Sequence, residues 1–229
     1  MSDFDFDIVI RNIPYLFLVG MRFTLTLTAM AAVGGVILGT LLAIVRLSGG
    51  PVLSTIVAGY VNLVRALPLV LVIFWFYFLV PYVGQWVTHA SRPIQVGGFA
   101  SALITFIVFE AAYFSEIMRA GIASIPRGQS SAGMALGLTH LQVMGYVILP
   151  QVFRIMLPVL LTQTIVLFQD TSLVYVLSIT DFLGAASKIA ERDGRLVEMY
   201  SFAALVYFVF SFAASQGVRR LRVHFAVPR

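Results

Sequence analysis

The sequence predicts an all-α membrane protein with about five transmembrane helices. Two observations lead to this prediction. The chain is 60% hydrophobic and 11% charged over 229 residues, with a mean hydropathy of +0.96, which is far from the composition of a soluble domain. Its apolar residues form blocks long enough to cross a bilayer, which takes about 20 residues per helix. It contains no cysteine, so a disulfide framework and thiolate metal sites are excluded.

Five apolar blocks justify the helices in order. The first contains Gly35 and Gly39 at the small-xxx-small spacing of a close helix contact. The second contains Arg65 and Pro68 within its apolar run. The five predicted spans cover residues 16–45, 53–80, 99–118, 155–179 and 199–218.

The basic residues predict the orientation of these spans. Loops on one side of the membrane carry arginines and no acidic residue, so that side is expected to be cytoplasmic. The arginines on it are Arg46, Arg119, Arg127, Arg154, Arg219, Arg220, Arg222 and Arg229. We therefore expect a periplasmic segment, residues 1–15, a membrane domain, residues 16–218, and a basic cytoplasmic tail, residues 219–229, anchored at the lipid headgroups. The net charge of +5 does not indicate nucleic-acid binding, because the charges are scattered between apolar blocks.

A polar stretch between the third and fourth blocks is too long for a tight turn. We call residues 119–154 the helical connector. Within it, Pro126 favours a helix start after Ser124, because proline is tolerated in the first helical turn. The segment that follows, residues 129–136, is rich in small side chains, and Gly137 predicts the end of the helix.

A second short helix is predicted in the same connector. The residues from Thr139 to Gln142 have the pattern of a capping box, which opens a helix. Residues 147–150 are then expected to return the chain to the membrane. Two short helices joined at a glycine favour docking to a soluble protein over a simple link between spans.

The connector carries a family resemblance. Gly137, nine intervening residues and then Val147, Leu149 and Pro150 resemble the cytoplasmic loop of permease subunits of ATP-binding-cassette (ABC) importers of the type I fold. That loop begins Glu-Ala-Ala in the family, and the corresponding positions here are Ser131, Ala132 and Gly133. The resemblance implies that these residues couple the chain to an ABC ATPase. Because a serine replaces the acidic residue, we expect the contact to depend on shape more than on charge.

Longer runs resemble the polar amino-acid branch of these permeases. They are residues 110–129, 149–154 and 170–173. Residues 161–178, with 191–194 and 197–199, are similar to one of the two membrane subunits of bacterial glutamate/aspartate importers. The resemblance implies a multi-pass subunit of the bacterial inner membrane that works by alternating access. Its implied partners are ABC ATPase subunits, a second permease subunit (a similar chain or a copy of this one) and a periplasmic amino-acid-binding protein.

Enzymatic motifs are missing from the sequence. It has no G-x-x-x-x-G-K-[ST] phosphate loop and no H-E-x-x-H metalloprotease motif. We therefore expect no catalytic, cofactor or metal site on this chain. ATP and Mg²⁺ are expected on a partner ATPase.

Charged side chains inside predicted spans are costly and by default indicate function. The candidates are Arg65, Glu110, Glu116 and Asp170. Glu116 lies three residues before Arg119, so a structural ion pair is expected there. For Glu110 and Asp170, pairing with backbone groups or arginine inside the bundle is the alternative to a role in transport.

The candidate substrate pathway combines these charges with neighbouring polar residues. Its members are Arg65, Glu110, Gln169, Asp170, Thr171 and Ser172. Many relatives in the amino-acid branch carry lysine where this chain has Gln169, so one cation is missing. An acidic substrate would then depend on Arg65, for which a packing role at a helix kink with Pro68 is the alternative.

Two other classes of protein compete with the importer. A secondary transporter or channel would use Glu110, Glu116 and Asp170 as a proton relay and need no ATPase. The connector has no purpose in such a protein, and five spans are too few for the usual inverted repeats. A membrane scaffold is disfavoured by the charges within the spans. Uptake that stops when a soluble ATPase is removed would favour the importer.

Overall fold

A computed structural model describes residues 4–94 and 96–224, and all regular secondary structure in these residues is helical. The α-helices are α1 (Phe6–Tyr15), α2 (Arg22–Ser48), α3 (Pro51–Ala66), α4 (Leu69–Phe74), α5 (Val80–Thr88), α6 (Gly98–Ser124), α7 (Arg127–Ala135), α8 (His140–Gln142), α9 (Leu149–Asp170), α10 (Phe182–Asp193) and α11 (Leu196–His224). π-Helical segments lie at Leu16–Met21, Trp75–Leu79 and Val143–Ile148, and a 3-10 segment lies at Thr171–Leu177. The first three residues of the predicted periplasmic segment and the last five of the predicted tail lie outside the described residues.

Five helical runs within the described residues are apolar and long enough to cross a membrane, which confirms the predicted number of spans. They are Phe6–Ser48, Leu69–Thr88, Gly98–Ser124, His140–Leu177 and Leu196–Arg222. The first and fourth runs are longer than predicted, because the helices continue past Pro14 and Pro150.

The second predicted span, residues 53–80, is wrong as a continuous helix. α3 ends at Ala66, Leu67 is extended with φ −99° and ψ 141°, and α4 begins at Leu69. Pro68 explains the break, because its ring disfavours the α conformation in the preceding residue and it has no N–H to donate. The run long enough to span is Leu69–Thr88, and α3 is a separate helix of 16 residues.

Each π-helical segment lies close to a proline. Pro14 precedes the first segment, Pro81 follows the second and Pro150 follows the third. A π-helical turn is wider than an α-helical turn, and before Pro81 and Pro150 it lies where the proline ring would otherwise clash with the preceding turn. The prediction that the second connector helix is short is wrong, since the helix that starts at His140 continues through Pro150 into α9.

α2 and α6 pack against each other at the centre of the bundle. A Cβ atom at Gly39 would lie 2.8 Å from Cβ of Phe114 and 2.9 Å from the carbonyl oxygen of Ala111. A Cβ atom at Gly35 would lie 3.2 Å from Cβ of Glu110. The predicted small-xxx-small contact is therefore confirmed, and it brings the backbone of α2 against the helix that carries Glu110.

Charged clusters mark two separate parts of the bundle. Near the connector, Glu116 accepts hydrogen bonds from Arg46 of α2 and from Arg119, whose Nη2 lies 2.7 Å from Oε2. The predicted pair of Glu116 with Arg119 is confirmed, whereas Arg46 was not anticipated because it lies 70 residues away. Where α1 and α11 begin, Arg195 contacts Asp5 at 3.8 Å and Glu198 at 3.1 Å.

Candidate functional site: a polar cavity and the helical connector

A cavity of about 320 Å³ lies between the start of α4, the middle of α6 and the second half of α9. Its apolar wall comes from the Pro68 break and from Phe109 and Val166. Its polar groups are Glu110, Tyr113, Gln163 and Asp170. The structure thus brings together two predicted pathway residues, Glu110 and Asp170, that lie 60 positions apart in the sequence.

Glu110 is the most deeply buried charged group of this cavity, with 0% of its surface exposed. Its Oε2 accepts a hydrogen bond of 3.1 Å from Nε2 of Gln163. Its Oε1 is buried and has no hydrogen-bond partner among the described residues. An unsatisfied buried carboxylate oxygen is costly, so this atom is suited to a donor that a ligand supplies.

Arg65 lies beside the same cavity. The centre of its guanidinium is 5.4 Å from the centre of the Tyr113 ring, a cation–π distance, and Tyr113 is part of the cavity wall. Arg65 occupies the last turn of α3 and is exposed rather than enclosed within a continuous span. The helix break at Pro68 places this last turn of α3 beside α6. Both predicted roles of Arg65, packing at the break and contact with a substrate, therefore depend on the same position beside Tyr113.

Sequence reasoning missed two polar residues of the cavity, Tyr113 and Gln163. Tyr113 follows Glu110 by three positions, and Gln163 precedes Asp170 by seven, so each pair shares one helix face. That periodicity was the available signal. The pairing of Glu110 with Gln163 depends on how α6 packs on α9, and a single sequence does not show this.

The other predicted pathway residues lie elsewhere. Gln169 and Ser172 line a second cavity of about 380 Å³ on the α11 side of α9, together with Ser211. There, Nε2 of Gln169 donates to Oγ of Ser211 at 3.0 Å. Thr171 is buried and donates to the carbonyl oxygen of Phe168 at 2.7 Å. The predicted pathway residues therefore lie at two different cavities, except Thr171, whose buried hydroxyl makes a local hydrogen bond.

The helical connector has the local features that the sequence predicts. α7 spans Arg127–Ala135, close to the predicted residues 129–136, and it ends before Gly137, whose φ of +83° is the left-handed conformation that favours glycine. Thr139 and Gln142 form the predicted capping box, with hydrogen bonds of 2.8 and 3.4 Å. The predicted helix end and the predicted capping box are both confirmed.

The connector exposes three large apolar side chains. Leu136, Leu141 and Tyr146 have 84%, 77% and 76% of their surface exposed. Three large exposed apolar side chains on one short segment are typical of a protein-binding surface. Ser131 and Ala132 are also exposed, and Oγ of Ser131 donates to the carbonyl oxygen of Arg127, at 3.3 Å.

Three of the four remaining predicted coupling residues pack inside the connector or against the bundle. A Cβ atom at the buried Gly133 would lie 2.9 Å from Cγ2 of Val143, so the small side of α7 faces its own connector. Val147 and Leu149 pack against a core cluster that includes Ile125. Pro150, one residue further, is exposed. These contacts fix the position of the exposed surface relative to α6 and α9.

Comparisons with known proteins cover both the cavity and the connector. Residues 35–222 match the family described as binding-protein-dependent transport system inner membrane component. The chain is 52% identical over 222 residues to the glutamate/aspartate import permease protein GltK of Escherichia coli O6:H1, with 97% of this chain and 98% of the relative covered. It is 30% identical over 218 residues to the glutamine transport system permease protein GlnP of Escherichia coli K12, with 95% and 96% covered. The crystal structure of an amino acid ABC transporter with histidines is similar at a TM-score of 0.81 and 28% identity, with 96% of this chain and 98% of the other covered.

Proposed function

The chain belongs to the binding-protein-dependent transport system inner membrane component family, and we propose that it carries glutamate and aspartate through an ABC importer. As a member, it is a multi-pass permease subunit of the inner membrane that works with an ATPase and a substrate-binding protein, and it is not itself an enzyme. The assignment of the substrate rests on the 52% identity to a glutamate/aspartate permease, which extends over nearly the whole of both chains.

We propose that the 320 Å³ cavity holds the amino acid during passage. An amino acid carries an ammonium group and at least one carboxylate, and the cavity offers groups of both signs. The ammonium group would donate to Oε1 of Glu110 and to Asp170. Arg65 would receive a carboxylate at the Tyr113 side, because its guanidinium can bind both carboxylate oxygens.

The connector is proposed to dock on the ATPase. Leu136, Leu141 and Tyr146 would bury their exposed surfaces in the partner, and Gly137 would hold the turn between them. Because Gly133 is packed against Val143, the connector can move as one body and pull on α6 and α9. ATP binding would then favour one of two bundle conformations, and hydrolysis the other.

Orientation and further partners follow from the same proposal. The connector would face the cytoplasm, which places the N-terminus outside and the C-terminus inside. The cluster of Arg46, Glu116 and Arg119 beside the connector agrees with a basic cytoplasmic side. ATP and Mg²⁺ would bind on the ATPase, and a second permease subunit would complete the pathway.

Uptake by purified complexes in proteoliposomes tests the proposal. We expect glutamate uptake to require ATP, the ATPase and the binding protein, and to be unaffected by a proton gradient alone. Arg65→Gln should raise the KM for glutamate, and Arg65→Lys should restore part of the loss because it keeps the charge. Uptake driven by a proton gradient without ATP would instead support a secondary transporter.

The same assay tests the assignment of the substrate. Glutamate and aspartate should compete for uptake with each other, and glutamine should compete poorly. If glutamine were carried as well as glutamate by the complex with its own binding protein, the proposed substrate would be wrong while the importer assignment would stand.

A further inference from the structure

A groove of about 400 Å³ lies where α9 meets α2 and α11, within three of the runs that are long enough to cross a membrane. Most of its lining comes from two helix faces: Leu161, Ile165 and Phe168 of α9, and Ser211, Ala214 and Val218 of α11. We call it the α9–α11 groove. Phe168 is buried and Ala214 is exposed, so the groove opens toward the surroundings of the bundle.

The hydroxyl groups that line the groove already have hydrogen bonds. Thr28 and Thr164 donate to carbonyl oxygens one turn earlier in their own helices, at 2.8 and 3.0 Å. Ser211 accepts a hydrogen bond of 3.0 Å from Gln169. A hydrocarbon occupant would therefore leave none of these groups unpaired, in contrast to the polar cavity, where Oε1 of Glu110 lacks a partner among the described residues.

Gly217 leaves open space in the wall of the groove. A Cβ atom at this position would meet no heavy atom within 4 Å. The volume of the groove lies within the range of about 300–1,000 Å³ that is typical of sites for small molecules. The groove therefore has room for an apolar chain from outside the protein.

Arginines lie beyond one end of the groove, on both of its helices. Arg154 precedes Leu161 by seven residues, or two turns, so it lies on the groove face of α9. Arg222 follows Val218 by four residues and Ser211 by eleven, so it lies on the same side of α11 as they do. Consecutive spans cross a membrane in opposite directions, so the start of α9 and the end of α11 lie on the same side.

These two arginines are available to an anion. Arg154 and Arg222 are both exposed, and neither forms a salt bridge with another described residue. No acidic residue follows Glu198 in the chain, so α11 has no carboxylate near Arg222 in sequence. An apolar groove that ends between two such cations matches a molecule with a long apolar chain and an anionic head.

We propose that the α9–α11 groove binds an anionic phospholipid, with one acyl chain in the groove and the phosphate group between Arg154 and Arg222. A guanidinium can bind two phosphate oxygens at once. A zwitterionic phospholipid has the same phosphate, but its second headgroup charge is positive and would lie beside the two arginines. This inference goes beyond the proposed function and is independent of which amino acid is carried.

Native mass spectrometry of the purified importer complex tests the site, with phosphatidylglycerol and phosphatidylcholine as the two probes. The wild-type complex should bind phosphatidylglycerol at a lower added concentration than phosphatidylcholine. Gly217→Phe should abolish this preference, because the new side chain fills the groove. Gly59→Phe is the matched control, since Gly59 is exposed on α3 with open space around it, and it should bind both lipids as the wild type does.

The headgroup contact has its own test. Arg154→Gln and Arg222→Gln should each raise the apparent Kd for phosphatidylglycerol about fivefold, the usual contribution of one basic residue at an anionic lipid surface. Arg220→Gln is the control, because Arg220 follows Ser211 by nine residues, or two and a half turns, and so lies on the opposite side of α11. Equal losses in the Arg220 and Arg222 variants would refute the site in favour of a general attraction between a basic helix end and acidic lipid.

The remaining outcomes separate this inference from its rivals and from the proposed function. If Gly217→Phe released a protein chain from the complex and left lipid binding unchanged, a protein segment would fill the groove and the lipid site would be wrong. Equal binding of the two lipids by the wild type would also overturn it. Glutamate uptake is measured on the same complexes. A complex that shows the lipid preference but imports no acidic amino acid would refute only the proposed substrate.

Discussion

The helical connector and the polar cavity are opposite in the side chains that they expose and bury. The connector exposes large apolar side chains, with Leu136 at 84%, and its shape is set by residues that are neighbours in sequence. The cavity buries charge, with Glu110 at 0% exposure, and its residues come from three helices distant in sequence. The connector is therefore suited to binding another protein, and the cavity to binding a charged small molecule.

The difference predicts which function is lost when each region is mutated. A change in the connector should separate ATP hydrolysis from transport while leaving the cavity intact. A change in the cavity should weaken substrate handling while leaving the contact with the ATPase intact. Each of the following predictions tests one side of this contrast.

The largest effect is expected at Gly137. Gly137→Asp places a non-glycine residue at φ +83°, which costs about 1–2 kcal/mol locally and distorts the turn between Leu136 and Leu141. We expect uptake to be abolished, while membrane insertion is retained. The measurement is substrate-stimulated ATPase activity of the purified complex. Survival of that activity at the wild-type level would refute the coupling role.

Gly145→Asp is the matched control for this prediction. Gly145 lies in the same connector, a Cβ atom there has open space around it, and its φ is not positive. The same acidic side chain should therefore leave most of the uptake activity. Equal losses in both variants would mean that added charge, not backbone conformation, disrupts the contact with the ATPase.

The next largest effect is expected at Glu110. Glu110→Gln removes the negative charge that we propose to bind the substrate's ammonium group. A hydrogen bond to a charged group contributes about 1.5–3 kcal/mol. The kcat/KM of uptake should fall by about 10- to 100-fold. Glu191→Gln, at an exposed position outside the cavity, is the control and should have no effect on uptake. ATP hydrolysis without substrate should be unchanged in both variants.

The contrast also explains what the sequence predicted well. Gly137 and the Thr139–Gln142 capping box are signals within a few residues, so the turn and the helix start could be predicted before the fold was known. The number of spans was equally accessible, because length and hydropathy determine it. The break at Pro68 was missed as a helix end, although proline gave a local signal, because the apolar run continues across it.

The cavity could be predicted only in part, for a physical reason. Glu110 and Asp170 were identified because charge inside an apolar span is unusual. Gln163 and Tyr113 are uncharged, so the sequence did not single them out. They lie at the cavity because α6, α9 and the end of α3 pack together. Gln169 was assigned to the same pathway from its place beside Asp170. Adjacent residues on a helix point in different directions, and Gln169 faces the second cavity.

A third prediction concerns the packing that holds the cavity helix. Gly39→Ala would push a Cβ atom to 2.8 Å from Cβ of Phe114 and from the backbone nitrogen of Ser115, neither of which can move freely. We expect a loss of about 1–3 kcal/mol in the free energy of unfolding. Gly59→Ala, on exposed α3 with open space around it, should instead raise stability by about 0.5–1 kcal/mol. Thermal unfolding of the complex in detergent measures both, and a loss of stability in both variants would contradict the close contact of α2 with α6.

The smallest effect is expected at the capping box of the connector. Thr139→Ala removes the hydroxyl that accepts from the backbone N–H of Gln142 at 3.4 Å, which should cost about 1 kcal/mol. Because this free energy is local, amides of residues 139–143 should exchange hydrogen about fivefold faster, with global stability unchanged. Ser131→Ala is the control, since its hydroxyl donates within α7 and caps no helix.

The result of this last experiment decides how rigid the connector has to be. If faster exchange in Thr139→Ala is accompanied by a lower ratio of glutamate imported to ATP hydrolysed, then transmission depends on the stiffness of the helix start at His140. That helix runs without interruption into α9, which carries Gln163 and Asp170, so looseness at its start would weaken the link to the cavity. If exchange rises and the ratio is unchanged, the link must instead run through α6, whose Glu116 is held by Arg46 and Arg119 beside the connector.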